Sequence, residues 1–153
     1  MTTPASPQQR LQEDLKQAMK ARDAELTGTL RMLLSELKYE RIKLGHEVTE
    51  EEFVVVVQRG VKQRNDSVEQ YRKGGREDLA AKEEREAAIL ASYLPAQVSA
   101  DEVRTAVEEL VREHGLAGPK AIGQVMSAVM PRFKGRFDGK ALQQIAREVL
   151  GAG

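Results

Sequence analysis

The 153 residues carry 24 Lys and Arg against 24 Asp and Glu, with 41% hydrophobic residues, no cysteine and no tryptophan. Zero formal charge argues against a wholesale nucleic-acid coat or a polybasic membrane anchor, so any electrostatic function must come from uneven placement of charge. The lack of cysteine excludes disulfides, thiolate metal sites and thiol catalysis, and a cytoplasmic location is expected.

Residues 1–6 read as a loose tail. Ser6 is placed to cap a first helix with Pro7 at its first position, and Leu11, Leu15, Ala18 and Met19 share one face. A second helix is predicted over 24–44, striped by Leu26, Leu30, Leu33, Leu34, Leu37 and Leu44 and ended by Gly45. Within it Arg31 reads as a structural ion-pair partner. Thr49 and Glu52 form a capping box for a third helix reaching about Lys73. The run Phe53–Val57 has β-strand composition, yet the box and the continuation through Val61, Val68 and Tyr71 favour helix.

Gly74 and Gly75 end that helix. A fourth follows over about 76–94, stopped by Pro95, which pushes the residue before it out of the helical region. The domains are therefore expected at 1–94 and 100–153, joined by a linker at 95–99. Ser99 and Glu102 form a second capping box, ahead of Val103, Ala106, Val107, Leu110 and Val111. After Gly115, Gly118-Pro119 opens another helix, with Ile122, Val125, Met126, Val129 and Met130 on one face and Pro131 and Gly135 as its breakers. Asp138 caps a last helix carrying Leu142, Ile145, Ala146, Val149 and Leu150. The fold class is all-α: an N-terminal bundle of long helices plus a small C-terminal three-helix domain.

Chemistry-bearing patterns are scarce. The chain has no HExxH, GxSxG, GxxxxGK[ST] or GxGxxG motif, and no nucleophile, base and orienting partner assemble from it. No catalytic residue, metal site or cofactor is expected, and His46 and His114 read as turn and helix-end residues. The carboxylates at 50–52 suit the first turn of a helix, and those at 83–86 a solvated face. Lys62, Arg64, Arg72, Lys73 and Arg76 likewise read as a solvated helix face. The longest uninterrupted apolar run, Phe53–Val57, falls far short of the roughly 20 residues that span a bilayer, and Met1–Pro7 does not read as a secretory signal.

The uneven charge lies at 119–140. Lys120, Arg132, Lys134, Arg136 and Lys140 face one acid, Asp138, and four of the cations fall within nine residues. Gly123 and Gly135 would let the backbone approach a partner, and the cations suit phosphates. Phe133 and Phe137 read as plugs of the small core. The set Lys120, Gly123, Arg132, Lys134, Gly135, Arg136 and Lys140 is the expected RNA-binding site.

Four segments in order carry a resemblance: Arg31–Lys38, Lys62–Glu84, Tyr93–Ser99 and Gly123–Leu142. Together they resemble the GatB/YqeY family. The resemblance covers nearly the whole chain after the tail and implies a C-terminal domain similar to the tail of the GatB subunit of the tRNA-dependent amidotransferase. In that enzyme the tail contacts tRNA, while the ammonia-generating and ATP-using chemistry lies in other domains. The chain departs from the family pattern at Phe137, where a small residue is usual. The resemblance implies a tRNA- or RNA-binding accessory protein, with a possible further protein partner in translation and no membrane. A protein-interaction adaptor is the alternative. An amidotransferase, a carbon–nitrogen ligase with glutamine as amido-N-donor, is the third.

Overall fold

The computed structural model describes residues 4–151, which divide into two compact units, the first ending at Leu94 and the second beginning at Pro95. Residues 1–3 of the expected tail lie outside the described residues. All regular elements among the described residues are helical: α1 (Pro7–Lys20), α2 (Ala24–Leu44), α3 (Glu50–Lys73), α4 (Glu77–Ala91), α5 (Ala100–Glu113), a 3-10 turn (Pro119–Ala121), α6 (Ile122–Phe133) and α7 (Gly139–Val149). The all-α reading of the sequence is correct.

Local chemistry sets the helix ends. Ser6 and Gln9, and Thr49 and Glu52, form reciprocal capping boxes for α1 and α3. Asp23, Ser99 and Asp138 cap α2, α5 and α7 through their side chains. At Ser99 the expected box is half made: its hydroxyl accepts from the Glu102 N–H, with no return bond from the Glu102 carboxylate. Gly45 ends α2 in the left-handed region at φ 78°, a conformation costly for any residue with a Cβ.

In the N-terminal unit α3 packs chiefly on α4, and α1 on α2. Leu11, Leu30, Leu33, Leu37, Phe53, Val57 and Leu90 are sealed inside. The Phe53–Val57 run is helical because positions 53, 56 and 57 fall on one face of α3 and are buried, while Val55 is left outside. Phe53 meets Tyr93 edge to face at 6.1 Å, and the Arg10 guanidinium lies 5.7 Å from the Phe53 ring centroid. The Tyr93 hydroxyl donates to Asp14 and, mainly through burial, titrates above its ordinary range.

Arg10 also forms a two-pronged ion pair with Glu50, whose carboxyl its hydrogen bonds hold below the usual range. A depressed carboxylate contributes stability that is complete above about pH 4.3 and lost as pH falls through the folded value. Glu50→Gln should therefore cost less than about 1 kcal/mol at neutral pH, since both partners are substantially exposed. The difference from the parent protein should close as pH falls below the range in which the folded carboxyl titrates, as read from urea midpoints across pH. A difference that persists undiminished at acid pH would assign the loss to something other than the ion pair.

Two sequence readings are corrected here. Arg64 is not on a solvated face: it is 7% exposed and paired with Glu86 on α4. Pro131 does not end α6, which runs on to Phe133. Proline removes one helical N–H, but the burial of Phe133 at the last position holds the extra turn against the core.

The C-terminal unit closes its own core with Val103 and Val107 of α5, Val125, Val129 and Phe133 of α6, and Leu142, Ile145, Ala146 and Leu150 from α7 and its cap. Phe133 is buried and Phe137 packs against the same cluster, as expected for core plugs.

Candidate nucleic-acid interface

The expected site residues fall into two groups in this unit. Arg132 occupies the last turn of α6, Lys134 caps it, Gly135 and Arg136 follow in the turn, and Lys140 lies in the first turn of α7. These five gather where α6 hands over to α7. Lys120 and Gly123 lie at the other end of α6, about 18 Å away along a 12-residue helix. That end meets the end of α7, since the Gly118 N–H donates to the Leu150 carbonyl at 3.2 Å.

The five turn residues are not equivalent. Arg136 is half-buried, and its Nε donates to the Ala96 carbonyl at 3.0 Å while its own carbonyl accepts from the Val98 N–H at 3.1 Å. Gly135 is buried at φ 77°, and its carbonyl accepts from the Gln97 amide at 2.8 Å. Residues 96–98 thus seal Gly135 from any ligand, and the close approach expected there is taken by the chain itself. Gly135 serves instead as the left-handed corner after α6, where the Arg136 and Phe137 N–H groups both reach the Phe133 carbonyl.

Arg132, Lys134 and Lys140 are exposed. The Arg132 guanidinium lies 5.3 Å from the ring centroid of Phe133, which orients it without neutralising it. Asp138, the one acid in the segment, spends its carboxylate on the Ala141 N–H at 3.1 Å to cap α7. Among the described residues neither Arg132 nor Lys140 has a carboxylate partner. Lys140 also sits at the positive end of the α7 dipole, with no acid in that first turn, an arrangement that disfavours the cation and favours an incoming anion.

The acids of this unit lie elsewhere. Helix α5 carries Asp101, Glu102, Glu108, Glu109 and Glu113 against Arg104 and Arg112, and Arg104 is paired with Glu148 of α7. Charge is therefore segregated, with an acidic helix and a basic turn. Gly123 is exposed, and a Cβ built there meets nothing within 4 Å. Among the described residues no cluster of His, Asp or Glu is arranged to hold a metal ion, and no helix is long and apolar enough to cross a membrane.

The sequence did not disclose the segment that covers the turn. Gln97 carries the only hint, a polar side chain among apolar and small neighbours whose amide reaches carbonyls at both positions 95 and 135.

Comparison with known proteins places these residues in a family context. The family model described as YqeY-like protein matches residues 8–150. A protein of Pyrenophora tritici-repentis named altered inheritance of mitochondria protein 41, mitochondrial, is 31% identical over 147 residues, covering 94% of this chain and 80% of that protein. The protein of the same name from Vanderwaltozyma polyspora is 36% identical over 107 residues, 67% of this chain and 57% of that protein. In Kluyveromyces lactis the figures are 36% over 136 residues, 86% of this chain and 69% of the relative. These relatives are named as mitochondrial, which overturns the cytoplasmic location expected from the sequence. The physical basis of that expectation was insufficient, because a lack of cysteine excludes disulfides without selecting a compartment.

Proposed function

We propose an RNA-binding accessory role for this chain, which belongs to the YqeY-like protein family, with tRNA or another structured RNA as the ligand. The observation that carries this reading is a pair of exposed cations at the turn: among the described residues Arg132 and Lys140 have no carboxylate partner, while Asp138 is committed to its own helix. Cations held this way stabilise the fold little and attract a polyanion. Arg132, Lys134 and Lys140 take backbone phosphates, Arg136 and Gly135 hold the turn in shape, and Lys120 and Gly123 lie outside the cluster. Phosphate contacts position a ligand without reading its sequence, so selectivity follows RNA shape.

The test is the salt dependence of tRNA binding by the full chain. Each phosphate contact adds about 0.7–0.9 to the slope of log affinity against log salt. Arg132→Glu with Lys140→Glu should flatten the slope by roughly 1.4–1.8, whereas Lys120→Glu should leave it unchanged. Arg136 is unsuited to this test, since its loss would also release residues 96–98. Equal affinity and equal slope for the double variant and the parent protein would remove the turn as an RNA contact.

A second reading rests on a different surface. Helix α2 leaves Met32, Tyr39 and Ile42 on its outer side, the last two 72% and 77% exposed. Such side chains suit a protein partner. Capture of the same proteins from nuclease-treated and untreated lysate, lost on Tyr39→Asp, would support an adaptor in place of an RNA binder.

A further inference from the structure

The corner between α1 and α2 gathers two arginines that the fold leaves without acids. Residues 1–94 contain nine arginines. Seven of them pair with carboxylates. The other two, Arg22 and Arg31, have no carboxylate partner among the described residues, and both line one open cleft of about 320 Å³ with Met19, Ala24, Thr27 and Gly28. The sequence reading of Arg31 as an ion-pair partner is therefore corrected: its Nη2 rests on the Met19 sulfur at 3.5 Å, a weak acceptor.

The backbone at this corner is equally unusual. Arg22 adopts φ 57° and is the one non-glycine residue with positive φ among the described residues. Its N–H reaches the Met19 carbonyl at 3.1 Å, the geometry of a helix end that glycine ordinarily supplies. At Gly45, Gly75, Gly115 and Gly135 the chain does supply glycine. An arginine thus holds a strained position beside a second arginine and a lining that contains no acid. No ion pair offsets the strain at Arg22, and two guanidinium groups without carboxylates favour a bound anion.

We propose that this cleft binds a small phosphomonoester. Such a group carries close to two negative charges and three acceptor oxygens at neutral pH, which matches two guanidinium forks. At Gly28 an added Cβ would meet nothing within 4 Å, so the backbone is open to the ligand. Thr27 adds a hydroxyl, and Met19, 47% exposed, offers an apolar wall to the organic part of the ester. The cleft is open to solvent, so the phosphate group rather than the organic part carries the recognition. The site lies within residues 19–31 and is independent of the RNA reading.

The test is a titration of the isotopically labelled full chain with inorganic phosphate and with adenosine monophosphate at fixed ionic strength, followed by NMR. Adenosine and chloride serve as controls. Saturable shifts are expected at the Thr27 and Gly28 amides and the Arg22 and Arg31 guanidinium signals with both phosphates and with neither control. Arg31→Ala and Arg22→Gly should each weaken binding about tenfold or more. Because glycine relieves the left-handed corner, Arg22→Gly should keep its Tm at or above that of the parent protein, which separates lost binding from lost folding. Shifts that track chloride, shifts equal with adenosine, or undiminished phosphate binding by the Arg22→Gly protein would each overturn the proposal.

Discussion

Replacing Glu86 with alanine should destabilise the N-terminal unit by about 3–5 kcal/mol, one of the two largest single effects expected for this chain. Arg64 is 7% exposed and its Nε approaches Glu86 Oε2 at 3.4 Å, but the angle leaves that nitrogen without a hydrogen bond. Its Nη2 finds only the Met32 sulfur at 3.9 Å. The pair is thus held by charge more than by hydrogen bonding, and burial has stripped the guanidinium of water. Without Glu86 the cation stays buried with no counter-charge, and that desolvation cost is what the variant would expose. The reciprocal change separates causes: replacing Arg64 by methionine and Glu86 by leucine together removes both charges and should be near neutral or stabilising. Urea denaturation with an unchanged m-value reads both. If Glu86→Ala costs no more than Glu50→Gln, the buried pair is energetically equivalent to the exposed one and this account of it is wrong.

Arg64 also shows where reading the sequence stops. Helix starts were legible because a cap is local: Ser6, Thr49, Ser99 and Asp138 sit within three residues of the N–H groups they satisfy. The β-like run at 53–57 yielded to the same local logic, since the box at Thr49 and the continuation through Val61, Val68 and Tyr71 agree. The cationic segment at 132–140 was visible as composition. What its members do was not, because Arg136 and Gly135 are committed by contacts with residues 96 and 97, 38 to 40 positions away. Arg64 and Arg31 illustrate the same limit in opposite directions. One looked solvated and is buried against an acid 22 positions on, and the other looked paired and meets only a methionine. Charge counted along a chain does not say which charges meet. The left-handed Arg22 had no signal in composition, since nothing marks an arginine that occupies a glycine position.

Phe133→Ala should unfold most of the C-terminal unit while leaving the N-terminal unit intact. The side chain is 5% exposed and is the one aromatic residue fully inside a cluster otherwise built from Val, Ala, Leu and Ile. Truncating a buried phenylalanine costs about 3–5 kcal/mol. A unit of about 60 residues holds roughly 3–9 kcal/mol in total, at about 0.05–0.15 kcal/mol per residue, so the loss consumes most of its stability. The position also compounds the damage. Helix α6 persists past Pro131 because Phe133 anchors its end, and both N–H groups of the following corner bond to the Phe133 carbonyl. Losing the ring should fray the segment that presents Arg132, Lys134 and Lys140, so the proposed RNA binding should fall with the fold. Phe137→Ala, at a half-buried ring on the rim of the same core, should cost less and keep the unit folded. In an amide spectrum, the expected outcome for Phe133→Ala is collapsed dispersion over α5–α7 with parent-like signals over α1–α4. Native signals throughout α5–α7 at 25 °C would show that the core closes without its aromatic plug, and the turn would then owe its shape to the bonds from residues 96–98 instead.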